Sequence, residues 1–235
     1  MREARTAAVT FFIVPALSLP LAPTTLGGPV VGLPRPHMLL RTVAAMTTLT
    51  TKLPRKRMSL AAFMARPEFS GRIEELLDGE LVVSPSANER HSFISSQLGE
   101  QIGPQFRGLG RFYSNPLTVV LGGSYAPAPD LCGILNERLH IVRDGYPHGA
   151  PDLVIEILSP SNRSNDLIRK KRIYASHGVR EYWIVDGEAE RVTRFWLRNH
   201  RYARGEVRHR SIRLRILPQI AVDLMAIWRL LRAGP

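Results

Sequence analysis

The stretch PDLVIEILSPSNRSNDLIRKKRIYASHGVREYWIVD, residues 151–186, decides the fold that this sequence predicts. It opens with an apolar run, Leu153 to Leu158, which has the length of a strand buried on both faces and contains one acid. A Ser-Pro-Ser-Asn break follows. From about Ser164 to Ser176 the apolar spacing is helical, with acid early and base late as a helix dipole favours. A second apolar run, Glu181 to Asp186, completes a predicted strand–helix–strand unit.

The acid in the first strand, Glu156, needs a physical explanation. A carboxylate inside an apolar strand is costly unless it is paired or binds a metal. Asp130 poses the same question, because it lies in a second apolar segment, Pro129 to Leu135. If the two strands are neighbours, the two carboxylates could converge on a hard cation such as Mg²⁺. A structural ion pair is the alternative, and from spacing alone it is the more frequent outcome.

Asp152 competes with Asp130 for this role, because each follows a proline and precedes a leucine. Asp152 and Glu156 are four residues apart on one strand. At about 3.3 Å per residue they would be roughly 13 Å apart, too far to share one metal ion. The pair Asp130 and Glu156 is therefore the better candidate.

Two adjacent lysines, Lys170 and Lys171, lie on the predicted helix. Either one can share a helical face with Leu167 and Tyr174. An inward ammonium could reach a phosphate or an attacking water, whereas the alternative is that both lysines extend to solvent. The apolar spacing does not choose between them.

Further elements are predicted on both sides of this unit. They are a short helix capped by Ser59, a hairpin over 72–84 turning at Asp78-Gly79, a helix over Asn88–Phe106, a short helix or loop over 136–144, and strands at 111–113, 117–121, 192–197 and 212–217. Glu75 and Glu80 flank the hairpin turn and, taken alone, are expected to be solvated. Tyr182 and Trp183 are expected in the core rather than as base-stacking residues.

The charge of the chain suggests an anionic partner. The formal net charge is +12 and the pI about 10.8, which favours nucleic acid first and an anionic membrane surface second. A solvated, arginine-rich surface explains the charge about equally well. Residues 191–235 contribute +9, and Arg213 and Arg215 alternate with apolar residues as on a strand with a basic outer face.

Several classes of site are excluded or weakened by the sequence. The single cysteine, Cys132, excludes an internal disulfide framework and a cysteine-rich zinc site. The sequence has no H-E-x-x-H pair, no G-x-S-x-G elbow and no phosphate-binding G-x-x-x-x-G-K motif.

Residues 1–45 differ in composition from the rest of the chain and are expected to be disordered or a mis-annotated extension, with translation beginning at Met46. A signal peptide is the alternative, because Arg2 and Arg5 precede an apolar stretch. That stretch, Val9 to Leu21, is too short to span a bilayer. The expected organisation is an extension over 1–45 and one domain over 46–235, in a cytoplasmic protein.

A set of motifs resembles the Uma-two family of restriction-endonuclease-like proteins. The motifs are RIEELLDGELVVSPS (72–86), the following His91, APDL (128–131), PDLVIEILSPSN (151–162), the spaced Asp166, Lys170 and Tyr174, and GVREYWIVD (178–186). They occur in the family's order from about Met58 to Trp196, roughly six-tenths of the chain.

The resemblance implies the fold and the site of a PD-(D/E)xK nuclease. The fold would be α/β, a central mixed sheet flanked by helices. Asp130 and Glu156 would bind Mg²⁺ or Mn²⁺, with the carbonyl of Ile157 as a further ligand and Glu75 approaching the same site. The general motif has a lysine two residues after the glutamate, where this chain has Leu158. The Uma-two family places that lysine on the next helix, and the matching position in this chain is Lys170. The supporting residues would be His91, Lys171 and Tyr174.

The predicted function is therefore a metal-dependent endonuclease that hydrolyses DNA phosphodiester bonds, with Arg213 and Arg215 contacting the DNA backbone. The alternatives are a non-catalytic nucleic-acid-binding protein on the same fold and an accessory partner of mobile-element proteins. The expected partner is nucleic acid, DNA before RNA. No membrane partner is expected, and both a monomer and a homodimer are open.

Overall fold

The computed structural model describes residues 57–67, 72–84, 87–159 and 165–234, with the backbone alone at 165 and 166. The predicted extension over 1–45 lies outside the described residues. The helices and strands are α1 Leu60–Met64, β1 Ile73–Leu77, β2 Glu80–Ser84, α2 Glu89–Phe106, β3 Gly110–Tyr113, β4 Leu131–Leu135, a 3₁₀ helix Asn136–Ile141, β5 Val142–Arg143, β6 Tyr146–Pro147, β7 Leu153–Ile157, a π-helix Asn165–Lys170, α3 Lys171–His177, β8 Glu181–Asp186, β9 Arg191–Arg198, β10 Arg201–Tyr202, β11 Glu206–Arg208, β12 Ser211–Arg213, β13 Ala221–Asp223 and α4 Leu224–Ala233.

A mixed sheet of seven strands forms the centre of the fold. Its strands lie in the order β10, β9, β8, β7, β4, β3, and β11 also pairs with β9. Only β7 and β8 are parallel, and the helical segment 165–177 is the crossover between them. Every residue of these two strands is buried, as the continuous apolar runs predict.

The antiparallel pairing of β4 with β7 is what brings the two candidate carboxylates to one region. Leu131 pairs with Ile155, so Asp130, just before β4, lies near the end of β7. The sequence analysis required these strands to be neighbours, and the structure confirms that they are.

Helices cover both faces of the sheet. Ile94 and Leu98 of α2 pack with Ile155 and Trp183 on one face, and α4 adds Trp228 to the same cluster. On the other face Tyr174 of α3 packs with a second set of sheet residues, among them Val154, Tyr182 and Ile184. This division follows from the alternation of side chains along a strand. Tyr182 and Trp183 are core residues, as predicted.

The β1–β2 hairpin forms a separate two-stranded sheet. Asp78 and Gly79 turn it with φ values of 50° and 76°, the left-handed conformation that a two-residue hairpin requires. Leu76 and Ala126 exchange two backbone hydrogen bonds of 3.0 and 2.8 Å, which fix the hairpin to the loop that precedes Asp130.

Several predicted elements differ in the structure. The described part of the helix predicted from Ser164 is a π-helix over Asn165–Lys170 and is α-helical from Lys171. The strand predicted over 117–121 is absent, because only Val120 makes an isolated bridge there. The strand predicted over 212–217 ends at Arg213, and the N–H groups of Arg215 and Ile216 bond to the buried carboxylate of Glu181 instead of to another strand.

The sequence analysis also missed α4, although its signals were present. Asp223 accepts a hydrogen bond from the N–H of Ala226 and caps the helix, and Leu224, Ile227 and Trp228 are buried at helical spacing. The C-terminal part of the domain therefore contains a helix as well as basic strands. Among the described residues no helix is both long and apolar enough to cross a membrane.

Candidate active site

Two glutamates and one lysine meet in the interior of the protein. Glu75 comes from β1, Glu156 from β7 and Lys170 from the last position of the π-helix. The Lys170 Nζ lies 2.9 Å from Glu75 Oε1 and 3.1 Å from each carboxylate oxygen of Glu156. All three residues are 5% exposed or less. One ammonium therefore bridges two buried carboxylates.

The strand geometry directs Glu156 toward the helical crossover. Glu156 lies on the same face of β7 as Val154, which packs in the cluster around Tyr174 of α3. The Tyr174 hydroxyl donates a 2.7 Å hydrogen bond to Glu156 Oε1. The crossover thus supplies two hydrogen-bond donors to this carboxylate, one phenolic and one cationic.

Glu75 reaches the site because the hairpin docks on the loop before β4. Its Oε1 accepts a 2.8 Å hydrogen bond from the backbone N–H of Ala128 and also contacts Lys170. Taken alone this residue was expected to be solvated, which is wrong: it is 3% exposed. The family resemblance predicted that Glu75 approaches Glu156, and both carboxylates contact Lys170.

Asp130 is held close to the end of β7. Its Oδ2 accepts a 2.7 Å hydrogen bond from the backbone N–H of Ile157, the residue after Glu156, and lies 3.0 Å from His91 Nε2. His91 stands in the first turn of α2, which Asn88 caps. The Asp130 carboxylate is therefore hydrogen-bonded to the residue that directly follows Glu156 on β7.

The electrostatic balance of the cluster is negative. When ionised, the three carboxylates and the one ammonium have a formal charge of −2 with neutral His91. Burial, and then the charges of Glu156 and Glu75, raise the pKa of Tyr174 well above its usual value, so its phenol remains a donor. Burial and the charge of Glu156 raise the pKa of Cys132, on the neighbouring strand, to about 12. This environment favours a cation and disfavours further anions.

The sequence model of a protein family described as "Uma2: Putative restriction endonuclease" matches residues 60–225. The chain belongs to the Uma-two family.

A solved structure supports the same fold. It is described as "a putative nuclease belonging to DUF820" from Anabaena variabilis ATCC 29413, and the match covers 74% of the present chain and 99% of that chain. The TM-score is 0.64 at 20% sequence identity, so the likeness is one of fold. The predicted α/β fold, a mixed sheet flanked by helices, is confirmed. None of the functionally curated proteins matches.

Membership of the Uma-two family raises the question of whether this site suits Mg²⁺ or Mn²⁺. Among the described residues, no group of three or more His, Cys, Asp or Glu side chains is arranged as a ready cation site. Mg²⁺ does not require one, because it binds through one or two carboxylates together with water and phosphate oxygens. The hard oxygen donors of Asp130, Glu156 and Glu75 fit such an ion chemically.

Lys171 lies outside this cluster, although it directly follows Lys170. Its Nζ is 3.8 Å from the centre of the Phe195 ring, and burial lowers its pKa. The structure thus separates the two lysines that the spacing could not: Lys170 contacts the carboxylates. Of the other supporting residues predicted, Tyr174 and His91 contact the cluster.

Asp152, the rival of Asp130, belongs to a different ionic group. It is fully buried and accepts hydrogen bonds from the backbone N–H of Leu135, from Arg138 at 3.0 Å and from Arg180 at 3.3 Å. This arrangement joins β4, the 3₁₀ helix and the start of β8, which is a structural role.

Two further acids make contacts that the sequence did not predict. Asp78 in the hairpin turn pairs with Arg169 and Arg172 of the helical crossover and accepts a hydrogen bond from Tyr125. Glu181 is buried, and its carboxylate accepts hydrogen bonds from Trp183 and from two backbone N–H groups at 215 and 216. The sequence marked Asp78 only as a turn residue and Glu181 only as the first residue of a strand.

The predicted basic outer face around β12 is present. Arg213 and Arg215 are exposed while Ile212 and Leu214 are buried. The guanidinium of Arg215 lies 4.8 Å from the ring centre of Trp196. Contact of these arginines with DNA stays a prediction.

Proposed function

We propose that this protein is a metal-dependent endonuclease that hydrolyses phosphodiester bonds of DNA with Mg²⁺ or Mn²⁺. The observation that supports this most is the buried bridge of Lys170 between Glu75 and Glu156, next to Asp130. Buried ion pairs commonly cost about as much free energy as they return, so an excess of buried carboxylates is weak support for stability. Buried titratable groups with close charged partners also concentrate at functional sites, where catalysis requires them.

The roles of the side chains follow from their contacts. Asp130 and Glu156 would hold the ion, with Glu75 alongside. A bound Mg²⁺ supplies a Lewis acid for the scissile phosphate and lowers the pKa of a coordinated water. Lys170 presents an ammonium that orients the attacking water or offsets negative charge on the phosphoryl oxygens.

The remaining contacts orient these groups. Tyr174 stays protonated and donates to Glu156, which fixes the carboxylate in one rotamer. The backbone N–H of Ile157 and the ring of His91 hold Asp130 from two sides. We expect loss of the Tyr174 or the His91 contact to weaken binding of the ion by about 10- to 100-fold.

The proposed substrate follows from charge. The net charge of +12 favours a polyanion, and Arg213 and Arg215 offer exposed cations for the phosphate backbone. We place the protein in the cytoplasm, where both chromosomal and incoming DNA are accessible.

The test is nicking of supercoiled plasmid by the purified protein, in Mg²⁺ and in EDTA. The Asp130→Asn variant is assayed in the same way. We expect nicking with Mg²⁺ only, and none by Asp130→Asn at equal protein concentration. Full Mg²⁺-dependent activity of Asp130→Asn would overturn the two-carboxylate mechanism.

A non-catalytic nucleic-acid-binding protein is the second candidate. The observation in its favour is that each carboxylate already has an internal partner: Lys170 for Glu75 and Glu156, and His91 with a backbone N–H for Asp130. This candidate predicts tight binding of DNA with no cleavage in either Mg²⁺ or Mn²⁺.

A further inference from the structure

A pocket with a volume of about 350 Å³ lies between the helical crossover and the turn that joins β9 to β10. Its helical side is formed by residues that include Ile168, Lys171 and Arg172, and its other side by His200, Arg201 and Tyr202. None of these residues belongs to the buried carboxylate cluster. The pocket is therefore a separate feature of the same crossover.

The charge of the pocket is positive. The described residues that line it include three cations, Lys171, Arg172 and Arg201, and no acid. Arg172 pairs with Asp78. Neither Lys171 nor Arg201 pairs with a carboxylate among the described residues, and Lys171 rests on the Phe195 ring instead. Two cations in one concavity with no described acidic partner suit a phosphate group.

The walls of the pocket also contain apolar surface. Ile168 is 72% exposed at its edge. Tyr202 is held rigidly, because its ring stacks on Tyr182 with ring centres 5.6 Å apart and its hydroxyl donates to the carbonyl of Val179. A planar base packs favourably against such aromatic and aliphatic walls.

We propose that this pocket binds one nucleotide unit, with its phosphate on Lys171 and Arg201 and its base against Ile168 and Tyr202. The assignment of that unit to a nucleic-acid strand rests on the proposed function; the phosphate chemistry does not. The crossover then uses consecutive lysines for different purposes, Lys170 at the carboxylates and Lys171 for strand affinity.

The test uses the full chain in EDTA, so that binding is measured without cleavage. Fluorescence anisotropy of a labelled oligonucleotide gives the Kd at several salt concentrations for wild type, Lys171→Met and Arg201→Met. Arg143→Met, an exposed arginine outside the pocket, is the matched control. Thermal melts by circular dichroism confirm that each variant is folded.

We expect Lys171→Met and Arg201→Met each to weaken binding roughly three- to tenfold and to reduce the salt slope by about one, with Arg143→Met changing both less. Equal effects of all three variants would overturn the pocket. Calorimetry with a mononucleotide distinguishes the source of the ligand. If the wild type binds the mononucleotide and Lys171→Met does not, the pocket takes a free nucleotide. If the wild type binds the oligonucleotide but not the mononucleotide, the pocket takes a nucleotide of a strand.

The two proposals fail separately. If the variants weaken strand binding but the wild type never cleaves with Mg²⁺ or Mn²⁺, the nuclease proposal is wrong and the pocket stands. If the wild type cleaves and neither variant changes affinity, the pocket is wrong and the nuclease stands.

Discussion

At the scale of single residues, the decisive contrast is between two neighbouring lysines. Lys170 is buried between two carboxylates, whereas Lys171 lies over an aromatic ring. Adjacent residues on a helix point in different directions, so these two identical side chains lie in different surroundings. Their substitutions therefore form a matched pair.

We expect Lys170→Ala to lower the single-turnover cleavage rate at saturating DNA by roughly two to three orders of magnitude, the scale of losing one electrostatic stabiliser. Binding of the metal should survive, because the carboxylates remain. Lys171→Ala should leave this rate nearly unchanged. If Lys171→Ala were the damaging change, the assignment of the active lysine would be wrong.

Tyr174 offers a second test at this scale. Tyr174→Phe removes the hydroxyl that bonds to Glu156 and keeps the packing of a fully buried ring. We expect a loss of about 1.5–3 kcal/mol in the free energy of unfolding, the range for hydrogen bonds to charged groups, measured by urea titration.

Tyr202→Phe is the control, because its hydroxyl bonds to a backbone carbonyl away from the carboxylates. Tyr202→Phe should lower the free energy of unfolding by only about 0.5–1.5 kcal/mol. The Mg²⁺ concentration needed for half-maximal cleavage should stay unchanged. Tyr174→Phe should raise that concentration. An equal Mg²⁺ requirement in both variants would show that Tyr174 has a packing role only.

At the scale of elements, the site depends on the contact between the hairpin and the helical crossover. Arg169 and Arg172 both pair with Asp78, and Arg169 also contacts Glu80 and the carbonyl of Leu77. These contacts lie beside the one between Lys170 and Glu75. The ionic contacts of Asp78 therefore add to the backbone bonds of the hairpin in holding Glu75 beside Lys170.

The Asp78 contact should depend on pH. Burial alone would raise the pKa of Asp78, but hydrogen bonds from Arg172, Tyr125 and Arg169 outweigh it and lower the pKa below the ordinary 3.8. A lowered folded-state pKa means that the stabilisation is present above the unfolded pKa and is lost as the pH falls through the folded pKa.

We accordingly expect Asp78→Asn to lower Tm at pH 7, and the difference from wild type to shrink as the pH falls below about 3.8. Hydrogen exchange should localise the loss to the hairpin. A Tm difference that stays constant down to the lowest pH at which the protein folds would contradict this account.

The elements that could be predicted are those whose signals are local. The runs around Glu156 and before Asp186 give two buried strands, and Asp78-Gly79 gives the hairpin. The burial of Glu75 was not predictable from its own neighbours, because it results from docking of the hairpin on Ala126 and Ala128. Tertiary contacts of this kind leave no periodicity in the sequence.

The carboxylate pair was predictable only in part. Two acids in apolar segments indicated a shared site, but from spacing alone a structural ion pair was the more frequent outcome, and Asp152 in fact makes one. The choice between Lys170 and Lys171 needed either the family register or the structure. The π-helix that ends at Lys170 has no sequence signal that we recognise.

At the scale of the whole molecule, charge is the property that bears on partners. Residues 191–235 contain eleven arginines and two acids, and Arg213 at the end of β12 and Arg215 just after it alternate with buried residues. We expect duplex DNA to bind with weak sequence dependence and with an affinity that falls steeply between low and physiological salt, because counterions are released.

Arg213→Met combined with Arg215→Met should reduce the slope of log affinity against log salt by about two, measured by anisotropy beside the Arg143→Met control. An affinity that hardly changed with salt would mean that this face does not contact the phosphate backbone.

The central claim is that Asp130 and Glu156 together bind one divalent ion, and metal binding measures it directly. Titration of the full chain with Mn²⁺, followed by the loss of the free-ion signal in electron paramagnetic resonance, should show one site in the wild type. Asp130→Asn and Glu156→Gln should each abolish that site while their thermal melts show an intact fold. Undiminished Mn²⁺ binding by a folded Glu156→Gln variant would contradict the claim.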